Sequence, residues 1–236
     1  MTRTSLAFSR YQTNEYDYIA APLQGWLQKE PNLALYLHGS GSNAQEVAQG
    51  AYERDLVLSL AADHVVHVGD YGYETWGNDT GIARIHTAIT YMRANWGVSG
   101  PVTLVCASMG AANAFAYTLA HPENVKAVAA IIPLIDLADL YSRGFTTQLN
   151  TAYGGSYNDA VDGPNHSPIQ FADRLPADLP IHLWSVPNDS LTPVETAQAF
   201  VAIRPQTGFS MLPEVPHGAI AVDAAKNDVL QFIRSL

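Results

Sequence analysis

The chain has 236 residues, 47% hydrophobic and 14% charged, a balance that supports one globular unit of ordinary core density. Acidic residues outnumber basic ones 22 to 12, for a net charge of −10, and the basic residues are scattered; such a surface repels nucleic acid and anionic membranes. The single cysteine, Cys106, excludes an intramolecular disulfide and a multi-thiolate metal site. Arg10, Gln12, Asn14, Glu15 and Asp17 interrupt the N-terminal stretch, so neither a signal peptide nor a membrane span is read there, and a cytoplasmic location is expected.

In chain order, residues 6–21 alternate loosely and read as one or two antiparallel edge strands. Residues 33–37 read as a buried strand, and 43–62 as a helix capped by Ser42 or Asn43. His64–Val68 is the next strand and 69–79 a loop. Residues 81–96 form a helix, with Ile82, Ile85, Ile89 and Met92 at helical spacing. Residues 102–105 form a strand that feeds an alanine-rich helix over 111–119. The wholly apolar run 125–132 suits a parallel sheet covered on both faces. Residues 136–178 are rich in Gly, Asn, Tyr and Ser, and about forty residues make only a short helical, cap-like excursion. A strand at 181–186, a helix opened by Thr192-Pro193, a strand-like run at 207–212 and a last helix at 221–233 complete the chain. Alternating strands and helices imply a mostly parallel, doubly wound α/β sheet flanked by helices, with functional residues at the carboxyl ends of the strands.

The most informative residues are Cys106-Ala107-Ser108-Met109-Gly110, at the junction of the 102–105 strand and the following helix. A serine on such a sharp turn lifts its hydroxyl clear of the sheet, and small neighbours are needed because strand and helix cross closely. The helix N-terminus adds backbone N–H groups and positive dipole. Upstream, the 33–37 strand runs into His38-Gly39-Ser40-Gly41-Ser42, a loop whose N–H groups can hold a developing oxyanion with that of Met109. Downstream, Asp189 follows the 181–186 strand, and His217 follows the 207–212 run. The chain order is Ser, then Asp, then His.

Four ordered motifs over residues 33–233 make the chain resemble a small α/β-hydrolase. The departure is Cys106, where the family pattern has glycine. Gly163-Pro164-Asn165-His166-Ser167-Pro168, with Leu179-Pro180, also resembles dienelactone-hydrolase-like and prolyl-oligopeptidase-like members. The resemblance implies an α/β-hydrolase fold with a minimal cap, residues 1–236 forming one domain, and a serine hydrolase acting on a small-molecule or polymer ester. Ser108 would be the nucleophile, His217 the general base and acid, and Asp189 its orienting acid. Ser40 and Met109 would supply the oxyanion N–H groups, with Gly41 the alternative donor. Thioester and amide cleavage, perhydrolysis, and a silent binding module on the same fold are the competing functions.

Other groups read as follows. Asp136 is the substitute acid, and His166 the rival to His217. His38 is read as structural, and Cys106 as an inert small hydrophobe ending a buried strand. Tyr71, Tyr73 and Trp76 follow the His64–Val68 strand and are candidates to wall a substrate cleft, Tyr71 and Trp76 foremost. No metal-ligand spacing and no phosphate loop is present, so no metal and no cofactor are expected.

Overall fold

The computed structural model describes residues 4–7, 17–22 and 31–236. Among them, eight strands form one sheet: β1 (Thr4–Ala7), β2 (Tyr18–Pro22), β3 (Asn32–Leu37), β4 (His64–Val68), β5 (Val102–Ala107), β6 (Val125–Ile131), β7 (Ile181–Ser185) and β8 (Gly208–Met211). Their order is β1-β2-β4-β3-β5-β6-β7-β8. The β1–β2 and β2–β4 pairs are antiparallel, and the other five are parallel. The antiparallel edge read at 6–21 is present as β1 and β2; residues 8–16 of that run lie outside the described residues.

Side-chain alternation sends successive residues of each central strand to opposite faces. Leu33, Leu35 and Leu37 of β3, with Val102, Leu104 and Cys106 of β5, face one apolar layer. Ala34, Tyr36, Val105 and Ala107 face the other. Helices α3 (Asp79–Trp96) and α4 (Met109–Ala120) cover the first face with Ile85, Ile89, Met92 and Phe115, joined by Phe200 of α9 (Val194–Ile203). Helix α1 (Ala44–Gln49), α2 (Tyr52–Leu60) and α10 (Ala219–Arg234) cover the second with Val47, Leu56, Leu60, Val222, Val229 and Ile233. Burying each such aliphatic side chain contributes about 1.5–3 kcal/mol.

Two boundaries differ from the sequence reading. The single helix expected over 43–62 is two, because Gly50 leaves the helical region at φ −64°, ψ 160° and its N–H closes back on Glu46 O. Val47, Leu56 and Leu60 are buried in the same apolar layer on either side of this break, so burial-prone residues do not mark it in the sequence. Asn43 caps α1 by accepting from Glu46 N–H. Strand β5 also runs to Ala107 and α4 starts at Met109, so Ser108 alone makes the turn between them.

The excursion between β6 and β7 carries four short helices: α5 (Leu137–Ser142), α6 (Thr146–Ala152), α7 (Gly163–His166) and α8 (Pro168–Phe171). Leu137, Leu140, Leu149 and Tyr157 form a third apolar cluster with Trp76 and Met109. From β3 the chain steps outward to β4, then returns to β5 and continues the opposite way through β6, β7 and β8. The crevice where the order reverses, outside the ends of β3 and β5, is where such sheets bind ligands.

Candidate active site

Ser108 sits at that reversal point with φ 51° and ψ −119°, a conformation a side chain adopts only when its surroundings enforce it. Its N–H donates to Ile131 O, and its carbonyl accepts from Ala111 and Leu134 N–H, each at 3.0 Å. Gly110 explains why the turn is so tight: a Cβ there would stand 2.2 Å from Leu37 O. Cys106, two residues before Ser108, is fully buried and its thiol is pushed well up by burial, which keeps it a neutral thiol.

The structure brings His217 and Asp189 to this serine. His217 Nε2 lies 2.9 Å from Ser108 Oγ, and His217 Nδ1 lies 2.7 Å from Asp189 Oδ2. A carboxylate only accepts, so Nδ1 carries the proton and Nε2 is left to accept from the Ser108 hydroxyl. Asp189 is held from its own loop: Oδ1 accepts from Leu191 N–H at 2.8 Å and Thr192 N–H at 3.0 Å, and Oδ2 accepts from Thr192 Oγ1 at 3.0 Å. Burial pushes its carboxyl upward, but the bonds from His217, Thr192 and Leu191 outweigh burial and hold it below the usual carboxylate range.

A cleft of about 120 Å³ opens over Ser108. Trp76, Leu134, Leu140, Phe145 and Leu191 give it apolar walls, and Ser40, Thr192 and His217 are its other polar lining. Ser40 therefore borders the cleft, and Met109 is buried at the head of α4, directly after the serine. Gly41 N–H, the alternative donor of the sequence reading, donates to Glu74 Oε1 at 2.6 Å.

Several expected residues stand elsewhere. Tyr71 does not line the cleft. It is 4% exposed, and its hydroxyl lies 2.8 Å from Nδ1 of His67, four residues upstream. Its φ of 47° turns the chain back on itself there, where a buried polar pair can be satisfied. Tyr73 is exposed, with its ring 6.4 Å from that of His38. Asp136 caps α5, accepting from Ala138 and Asp139 N–H. His166 pairs with Asp79 at 3.2 Å. Among the described residues, no group of three or more His, Cys, Asp or Glu could hold a metal ion, and no helix is long and apolar enough to cross a membrane.

Sequence reasoning missed Thr192, Glu74 and the apolar wall of Leu134, Leu140 and Phe145. Thr192 lies three residues after Asp189, a spacing at which its N–H and hydroxyl reach the carboxylate. The wall residues carry no signal beyond being apolar in the stretch from the end of β6 to the start of α6.

No protein-family model matches the chain, and no curated protein matches it in sequence. Solved structures match it along nearly its whole length. A Staphylococcus aureus fluorophosphonate-binding serine hydrolase superposes with a TM-score of 0.75 at 13% identity, covering 98% of each chain. An S-formylglutathione hydrolase from Agrobacterium tumefaciens gives 0.72 at 11% identity, covering 97% of this chain and 93% of that one. A Pyrococcus furiosus esterase gives 0.69 at 17% identity, covering 99% and 93%. At these identities the likeness establishes the architecture: the chain has the α/β-hydrolase fold.

Proposed function

We propose that the protein is a serine hydrolase that cleaves carboxylic esters through an acyl-enzyme. The observation that carries this reading is the unbroken run of hydrogen bonds from Asp189 through His217 to Ser108 Oγ, ending in a cleft. In the first half-reaction Ser108 Oγ attacks the ester carbonyl carbon while its proton passes to His217 Nε2. Asp189 stabilises the imidazolium that forms. The N–H groups of Ser40 and Met109 receive the oxyanion. Collapse of the tetrahedral intermediate breaks the carbon–alkoxy bond, and Nε2 returns its proton to the departing alcohol oxygen. Water then attacks the Ser108 ester, losing its proton to Nε2, and that proton goes back to Ser108 Oγ as the acid leaves.

Ester is favoured over amide because an alkoxide leaves with less assistance than an amine. Residues 136–178 act as a short cap on the single domain, roofing the acyl side of the cleft with Leu140 and Phe145. The neighbours' printed activities, serine hydrolase and esterase, point the same way.

The test uses p-nitrophenyl esters and a fluorophosphonate probe. Ser108→Ala is expected to lower hydrolysis by about 10⁴-fold or more and to abolish labelling without unfolding the protein. Undiminished turnover in that variant, or no labelling of the folded wild type, overturns the reading; the latter result describes a silent module on the same fold.

A further inference from the structure

A second carboxylate stands beside the cleft, outside the line of Asp189, His217 and Ser108. Glu74 lies half-buried in the loop joining β4 to α3. Its Oε2 accepts from Ser40 Oγ at 2.9 Å, and its Oε1 accepts from Ser40 Oγ at 3.1 Å and from Gly41 N–H at 2.6 Å. Hydrogen bonds to an ionised acceptor are roughly twice as strong as neutral ones. Two consecutive residues of the loop after β3 are thus tied to one side chain more than thirty residues away.

The segment that presents Glu74 is itself held under constraint. Tyr71, Gly72, Tyr73, Trp76 and Gly77 all have positive φ, between 47° and 87°. Such backbone persists in non-glycine residues only when surrounding contacts over-determine it. Those contacts are present. Asn113 of α4, 3% exposed, accepts from Thr75 Oγ1 at 3.0 Å and from Gly77 N–H at 2.5 Å. The Tyr153 hydroxyl donates to Trp76 O at 3.0 Å. The helix that begins directly after Ser108 therefore fixes the strap, and the strap fixes the Ser40–Gly41 loop.

Charge alone does not explain Glu74. A negative group beside the place where a negative oxygen develops opposes that development. Its geometry is what helps. It consumes the Gly41 N–H and clamps the Ser40 side chain, in a loop that passes so close to Ser108 that a Cβ on Gly39 would stand 3.3 Å from the Ser108 Cβ. We propose that Glu74 is a positioning residue for the oxyanion site, acting through Ser40 and by hydrogen bonding rather than by charge. The proposal deepens the hydrolase reading and rests on it.

Two variants separate the hydrogen bonds from the charge. Glu74→Gln keeps an acceptor for Gly41 N–H and a polar partner for Ser40 Oγ while removing the charge; kcat is expected within about 3-fold of wild type or above it. Glu74→Ala removes both, and kcat is expected to fall roughly 10–100-fold with KM nearly unchanged, as for a donor displaced by about an ångström. Hydrogen–deuterium exchange over residues 38–43 reads the clamp without turnover: it should quicken in the alanine variant and stay at the wild-type rate in the glutamine one. Unchanged exchange in Glu74→Ala overturns the clamp. Quickened exchange with unchanged kcat overturns its role in catalysis. An equal loss of kcat in both variants overturns the assignment to hydrogen bonding. Absence of Ser108-dependent turnover in the wild type sinks the hydrolase reading and this role with it, whatever the exchange shows.

Discussion

On one side the cleft over Ser108 is bordered by Thr192 and His217, joined to each other and to the buried Asp189 behind them by contacts of 2.7 to 3.4 Å. On the other it is closed by Trp76, Leu134, Leu140 and Phe145, which offer apolar surface. The first wall depends on particular atoms at particular places: exchange one oxygen for a nitrogen and the protonation pattern of His217 changes. The second depends on volume and shape, and many side chains could fill the same space. Substitutions should therefore act on the polar wall as a change of rate common to all substrates, and on the apolar wall as a change in which substrate is preferred.

The sharpest break between the walls comes from Asp189→Asn. The amide can still accept from Leu191 and Thr192 N–H, but its NH₂ group facing Nδ1 favours the imidazole tautomer that cannot accept from Ser108. Hydrolysis should fall by about 10⁴-fold for every ester tested, with the fold retained. A loss that varies strongly with acyl length would contradict the division just drawn. Gly110→Ala attacks the floor that both walls share. The added methyl would meet the backbone carbonyl of Leu37, which cannot rotate away, so the sheet or α4 must shift. A loss of about 3 kcal/mol in denaturant unfolding is expected; wild-type stability would show that α4 has room to move.

The asymmetry between the walls also governs what the sequence disclosed. Ser108, Asp189 and His217 were legible as a candidate constellation because acyl transfer calls for those residue types and the α/β-hydrolase fold sets their order, each after a strand; the structure brings the three within hydrogen-bond distance. Gly110 was legible because only a residue without Cβ passes Leu37 O. Tyr71 and Trp76 show the limit. They are both aromatic and five residues apart, with φ of 47° and 50°, yet one is folded back onto His67 and the other faces the cleft. Nothing in residue type marks such a reversal. The division of α1 from α2 at Gly50 was hidden because buried apolar residues stand on both sides of it and a lone glycine is tolerated within a helix. Glu74 was out of reach because its partners, Ser40 and Gly41, meet it only once two loops have folded together.

A gentler probe addresses the apolar wall. Phe145 lines the cleft and packs its ring 6.0 Å from that of Trp76. In Phe145→Ala the cleft widens. For the shortest acyl ester kcat/KM should fall about 10-fold, the scale set by lost contact in an apolar pocket, while bulkier acyl groups should hold steady or gain. A uniform loss across the acyl series would mean that Phe145 supports the reacting groups themselves, and the two walls would no longer be distinct in kind.

The smallest expected effect lies in the pH dependence of stability, and it tests whether the polar wall is assembled before any substrate arrives. The Asp189 carboxyl is held below its usual range in the folded protein. An unfolded chain would take up a proton at this group at higher pH than the folded one does. The unfolded state thus binds more protons in this interval, and stability rises with pH across it. The contribution is complete above the unfolded value, near 3.9, and is lost as pH falls through the lower folded value. Wild type should therefore lose stability relative to Asp189→Asn as the pH is lowered from about 5 toward 2, so that the gap between them narrows. Thermal unfolding of both proteins over that range measures it. A gap that stays constant would mean that His217, Leu191 and Thr192 do not hold the carboxylate in the resting protein, and that the relay forms only around a bound substrate.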